Sequence, residues 1–242
     1  MSETGATSEA SDATRGGWRA EKHGPLEKVA DNLWRVAGDV PGMSLKRVMV
    51  VVRLSDGRLL VHGAIAMRDD AMKELEALGE PGVLVVPSGY HRMDAPRYKA
   101  RYPKMRVYCP YGARARVAKV VPVDGVYEDF PGDPAATLDH VDGIGDREGV
   151  VRVTSSDGVT LVFNDVLFNM PHGALVFRLL GASGGLRVSR TARFFLLQDP
   201  RALARRFVAL AATPRLVRIM VAHVDTVERG AADALRQVAL TI

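Results

Sequence analysis

Val83-Leu-Val-Val-Pro87 runs directly into Ser88-Gly-Tyr-His91-Arg-Met-Asp94. An apolar run this short and continuous predicts a strand buried on both faces. In α/β folds, chemistry-bearing side chains gather at the carboxyl ends of such strands, and His91 and Asp94 have that position. Upstream, Asn32-Leu-Trp-Arg-Val-Ala37 alternates like a strand. Arg47-Val-Met-Val-Val-Val-Arg53 and Arg58-Leu-Leu-Val-His62 flank Ser55-Asp-Gly57, which predicts a hairpin. Between Asp69 and Gly79 a helix is expected: Ala71, Met72, Leu75 and Leu78 share a face, two acids open the first turn and glycine ends it. Pro96 to Tyr102 predicts a second helix with proline in its first turn, and Met105 to Cys109 another strand. Downstream, Gly149 to Thr154 and Thr160-Leu-Val-Phe-Asn-Asp165-Val-Leu-Phe168 surround an Asp157-Gly158 turn, a second hairpin. Arg201 to Ala211 reads as a helix, Val217 to Ala222 as a buried strand running into His223, and Gly230 to Leu240 as a last amphipathic helix. Hairpins followed by alternating strands and helices imply an α/β fold whose sheet-rich core is flanked by helices.

The composition agrees. The chain has 242 residues, 47% apolar and 25% charged, which suffices for a buried core and excludes a wholly disordered chain or a coiled coil. A single cysteine, Cys109, excludes an internal disulfide framework and a multi-cysteine zinc site. There is no apolar run of the roughly 18 residues that a membrane span needs, and no apolar secretory segment at the start, so a cytoplasmic protein without a membrane association is expected. Residues 1–24 are small and polar and predict a disordered tail ahead of one domain at 25–242. Charge is segregated: Arg92 to Lys119 carries nine Lys or Arg against Asp94 alone, and Asp124 to Glu148 carries eight acids against Arg147 alone. These read as two solvated faces, or the basic one as a rim for an anionic small molecule. Tyrosines interleave the basic stretch at spacings that suit packing, so nucleic acid is not expected. Gly181-Ala-Ser-Gly-Gly185 lacks a Walker ending and reads as a loop.

Among six histidines, His91 and His223 lie at strand ends, as does Asp94, and Asp165 is in or beside a strand. Two His and two Asp suit one divalent cation with nitrogen and oxygen donors, or else a hydrogen-bonded polar cluster.

At these residues the sequence resembles the metallo-β-lactamase fold superfamily, in a branch with eroded metal motifs. Met49-Val-Val-Val-Arg-Leu-Ser-Asp-Gly-Arg-Leu-Leu-Val-His62 looks like its opening strands, Leu161 to Phe168 like the strand whose Asp bridges metals, and Arg218-Ile-Met-Val-Ala-His223 like the closing motif whose His is a ligand. The resemblance implies a four-layer αββα sandwich with its site at the sheet edges. Its His-x-His-x-Asp-His signature aligns with Gly89-Tyr-His91-Arg-Met93-Asp94, so glycine stands for the first His, Met93 for the Asp and Asp94 for the last His. A further separate His is missing from Asp146-Arg147-Glu148. What survives implies at most one metal, held by Asp94, Asp165 and His223 with His91. Zinc is the first expectation, with iron or manganese as alternatives, and Asp94 or Asp165 would be ligand and base. Two classes follow: a mononuclear metal-dependent hydrolase of an ester, thioester or phosphoester, or a non-catalytic descendant that binds an anionic small molecule or a protein through the same cleft.

Overall fold

The computed structural model describes residues 18–43, 45–170, 185–223 and 225–242. His172 and nearly all of the glycine-rich stretch 181–185 lie outside the described residues. A seven-stranded sheet runs in chain order from β1 to β7: β1 (Glu27–Ala30), β2 (Leu33–Asp39), β3 (Lys46–Arg53), β4 (Leu59–His62), β5 (Pro81–Val85), β6 (Arg106–Cys109) and β7 (Gly125–Val126). Neighbours are antiparallel up to β4 and parallel beyond it. The change comes where helices begin to connect the strands: α1 (Asp69–Leu78), α2 (Ala95–Arg101) and α3 (Arg114–Val117). Parallel neighbours require such crossovers, whereas the Ser55–Gly57 turn, with Gly57 at φ 85°, closes the β3–β4 hairpin directly.

A second sheet has the order β13-β10-β9-β8, built from β8 (Ala136–His140), β9 (Gly149–Ser155), β10 (Gly158–Val162) and β13 (Leu216–Met220). β13 is parallel to β10 and the other pairs are antiparallel. A small ribbon pairs β11 (Phe168–Asn169) with β12 (Leu186–Arg187). The remaining helices are α4 (Arg190–Phe195), α5 (Pro200–Ala211) and α6 (Ala231–Leu240). Asp199 caps α5 by accepting from Ala202 N at 3.0 Å.

Side-chain alternation explains why these pieces stack as α-β-β-α. In β3, Val48, Val50 and Val52 point between the sheets, where they meet Leu138, Val151, Val153, Val162 and Met220. Met49 and Val51 point the other way, onto Met72, Leu75 and Tyr98 of α1 and α2. In the second sheet Val150 and Leu161 turn outward to Leu203, Phe207, Leu235 and Val238 of α5 and α6. Three separate apolar layers are thus sealed by two sheets, each apolar on both faces, which is why the strands read as continuous apolar runs. The expected αββα sandwich is the observed fold.

Two expectations shift. The strand expected through Phe168 stops at Val162, and Phe163 to Leu167 leave the sheet. β8 lies inside the acidic stretch that carried no strand signal, because only Ala136 and Leu138 of its five residues face inward. The acidic and basic stretches also do not simply face each other. Lys99 reaches Asp124 at 3.7 Å, but Arg97 and Arg101 pair with Glu21, Asp94, Asp69 and Glu76.

The described residues begin at 18, ahead of the boundary expected at residue 24. Trp18 is buried, its indole N–H donates to Met67 O at 2.9 Å, and the Arg101 guanidinium lies 5.0 Å from its ring centroid. Glu21 N donates to Ala66 O at 2.8 Å. The signal was a single tryptophan among small polar residues, and the earlier residues 1–17 lie outside the described ones. Truncating Trp18 removes a buried aromatic from the first apolar layer, so Trp18→Ala is expected to cost about 3 kcal/mol and lower Tm by roughly 6–12 °C. A thermal melt unchanged within a degree would show that this segment does not dock.

Candidate metal centre

Three side chains converge where the two sheets share an edge. His91 comes from the loop between β5 and α2, where Ser88 Oγ accepts from the backbone N–H groups of Tyr90 and His91 at 3.2 Å each. Asp165 follows β10, and His223 follows β13. Asp165 Oδ1 lies 3.0 Å from His91 Nε2 and 3.0 Å from His223 Nε2. One ligand atom from each of the three lies within 4.8 Å of the others.

The protonation of His223 is fixed by its far side. Its Nδ1 sits 2.7 Å from Lys46 O, and a carbonyl only accepts, so Nδ1 carries the proton. In the neutral ring Nε2 then presents a lone pair to the Asp165 carboxylate. Such an arrangement repels unless a cation lies between them, either a second proton or a metal. Burial opposes charge on His223, but the hydrogen bond and charge of Asp165 outweigh it and raise the imidazole above its usual pKa. Burial also pushes the Asp165 carboxyl up, yet the charges and hydrogen bonds of His91 and His223 hold it well below the carboxylate range. Phe168 stacks on the His223 ring at 5.1 Å between centroids and covers it.

The loop carrying Asp165 is held from behind by a residue that sequence reading passed over. Glu148 is fully buried; its two carboxyl oxygens accept from Asn164 Nδ2 at 3.0 Å and Val166 N at 2.8 Å. Burial and the charge of Asp165 raise the Glu148 carboxyl well above its ordinary value. Glu148 gave no signal beyond its place in the segment where a histidine was sought.

Asp94, the fourth expected residue, has other partners. It is buried, but Arg47 Nη2 donates to its Oδ2 at 2.5 Å and Arg97 Nη1 to its Oδ1 at 2.6 Å. Both oxygens are thus committed to tying β3 to α2, and Asp94 is not in the metal-competent group or available as a base at it. Gly89 has a physical reason too: a Cβ there would come within 2.8 Å of Arg116 Cδ, so the α3 arginine fills the space a side chain would need. Asp146 is exposed, and Asp146 Oδ1 lies 3.8 Å from His140 Nδ1.

Comparison with solved structures gives the same architecture. A DIM-1 metallo-β-lactamase exposed to ceftazidime aligns over 92% of this chain and 99% of its own, with a TM-score of 0.62 and 13% identity. A metallo-β-lactamase from Pontibacter korlensis aligns over 90% and 99%, with a TM-score of 0.58 and 10% identity. The chain has the metallo-β-lactamase fold. Neither a family profile nor a curated relative matches its sequence. In this chain His91, Asp165 and His223 come together, while Asp94 and Gly89 beside them meet arginines.

The His-Asp-His donor set fits a divalent cation. In a tetrahedral zinc site with bonds of about 2.0–2.1 Å, ligand atoms lie about 3.3 Å apart, close to the contacts seen. His223 also has the outer partner, Lys46 O, that orients metal-binding imidazoles.

Two tests follow. Asp94→Asn breaks a buried ion pair and is expected to destabilise the protein by about 3 kcal/mol while leaving metal content unchanged, if Asp94 is structural. Loss of metal with an unaltered melt would restore it as a ligand. His62, at the end of β4, is fully buried, and neither ring nitrogen has a partner among the described residues. Burial and, secondarily, the charge of His91 push it down to about 3. Its unfolded-state pKa is higher, so stability is complete above about pH 6.5 and falls as pH drops towards 3, by up to about 1.4 kcal/mol per unit. His62→Leu is expected to flatten the dependence of Tm on pH between those limits; parallel curves for the two proteins would contradict it.

Proposed function

We propose that His91, Asp165 and His223 hold one divalent cation, zinc by preference, and that the protein is a mononuclear metal-dependent hydrolase of an ester, thioester or phosphoester. The observation that carries this is the locked tautomer of His223, which aims a lone pair at a charged carboxylate already faced by a second imidazole. Three protein ligands with a further position open are the pattern of a catalytic rather than a structural zinc. When bound, the cation supplies Lewis-acid polarisation and a water of lowered pKa.

The chain's own residues do the rest. Lys46 O fixes the His223 ring, and Phe168 screens it from solvent. Glu148 anchors the Asp165 loop by accepting from Val166 N. Of the two carboxylates expected to act as ligand and base, Asp165 is the one in the cluster.

Two His and one carboxylate also suit non-haem iron. Elemental analysis after loading with zinc, iron and manganese in turn therefore tests the reading. One equivalent of zinc is expected per chain. His223→Ala and Asp165→Ala should each lower metal content below a tenth of that and abolish ester hydrolysis. Selective retention of iron would keep the site and overturn the hydrolase. Two equivalents of zinc would contradict a mononuclear site. The filled space at Gly89 and the engaged Asp94 favour a second reading, the non-catalytic binding protein. No metal under any loading condition, with a normal melt, would select it.

A further inference from the structure

The cluster forms part of the wall of a cleft of about 480 Å³, within the range of small-molecule sites. Its remaining wall is largely apolar, including Leu45, Met93, Phe168, Phe195 and Leu196. Among the described residues that line it, Arg47 is the single lysine or arginine, and its guanidinium is spent. Nη2 donates to Asp94, Nη1 to Ala64 O at 3.3 Å and Nε to Asp39 O at 3.4 Å. Among the described lining residues, an anion would find no uncommitted side-chain cation apart from the histidines of the cluster.

The mouth repeats the message. Four lining residues are large apolar side chains left in water: Met43 and Tyr90 at 59% exposure, Phe195 at 56% and Met93 at 46%. Phe194, 81% exposed, adjoins Phe195 and meets its ring edge to face at 5.0 Å between centroids. The described chain leaves nine large apolar side chains exposed, so five of them gather at or beside one opening. Clustered exposure of this kind marks a binding surface, whereas scattered exposure does not.

We propose that this cleft binds an uncharged apolar acyl or aryl group, and that the substrate is a neutral ester or thioester carrying such a group rather than an anionic molecule. The ester or thioester part rests on the metal-hydrolase reading; the apolar part does not. The group would lie along Met93 and Phe195, with its carbonyl end towards His91, Asp165 and His223.

The metal-free protein is titrated with N-phenyl-1-naphthylamine, a neutral apolar dye, followed by fluorescence. Methyl esters of increasing chain length, and separately inorganic phosphate and phenyl phosphate, then compete with the dye. Each added methylene should tighten competition about fourfold until the cleft is full. Phosphate and phenyl phosphate should compete more weakly than the uncharged esters. Phe195→Asp and Met93→Asp, both at the exposed mouth, should each weaken dye binding about tenfold or more with unchanged melts, whereas His223→Ala should keep dye binding while losing metal. Dye binding indifferent to both mouth variants, affinity flat with chain length, or phosphate competing best would each overturn the apolar assignment, even if the metal site stands. Dye binding with the expected chain-length dependence in a protein that takes up no metal would sink the hydrolase and keep the apolar cleft. With metal loaded, kcat/KM for p-nitrophenyl esters should rise with acyl length, and a fall from acetate onward would contradict the substrate class.

Discussion

Asp165 Oδ1 lies 3.0 Å from each of two imidazole nitrogens delivered by different sheets. His91 follows β5 of the first sheet, whereas Asp165 and His223 follow β10 and β13 of the second. The contact therefore exists only if both sheets end at one edge, and the β3–β13 junction there secures it: Val48 N donates to Ala222 O at 2.8 Å, and Lys46 O receives the His223 proton. A half-buried carboxylate facing the lone pair of His223 is stable only with a proton or a metal ion between them. The fold thus creates, at the seam of its halves, a place that a protonated His223 or a metal ion would satisfy, and Glu148 and Phe168 hold and cover it.

The architecture was legible because the strands are buried on both faces. Runs such as Val48 to Val52 and Val83 to Val86 carry no solvent-facing period, and that absence itself signals a central strand covered on each side. The elements that stayed hidden have few inward positions. β8 buries only Ala136 and Leu138 as apolar anchors, and Trp18 is a lone docking residue in a segment whose composition otherwise speaks for disorder.

The structure brings three of the four expected residues together. His91, Asp165 and His223 sit just beyond strand ends, and position along a strand can be read from sequence. Asp94 has the same sequence signature, but which partner takes a carboxylate depends on what β3 and α2 bring to it. Arg47 and Arg97 lie 47 positions before it and three after, and no local pattern announces the first. Glu148 stayed hidden for the same reason: the partners of its carboxyl, Asn164 and Val166, lie 16 and 18 positions away. The replacement of Gly89's side-chain space by Arg116 likewise appears only when α3 is folded onto the β5 loop. Arginines thus occupy Asp94 and the space at Gly89, and among the described residues lining the adjoining cleft the one arginine, Arg47, is already engaged.

A crystal structure of the zinc-loaded protein with anomalous differences measured at the zinc edge tests the central claim most directly. The account predicts one peak, about 2.0–2.2 Å from His91 Nε2, His223 Nε2 and an Asp165 oxygen, with Asp94 still held by Arg47 and Arg97. A peak on Asp94, two peaks in the cleft, or a clean map with Asp165 still between the two histidines would contradict it.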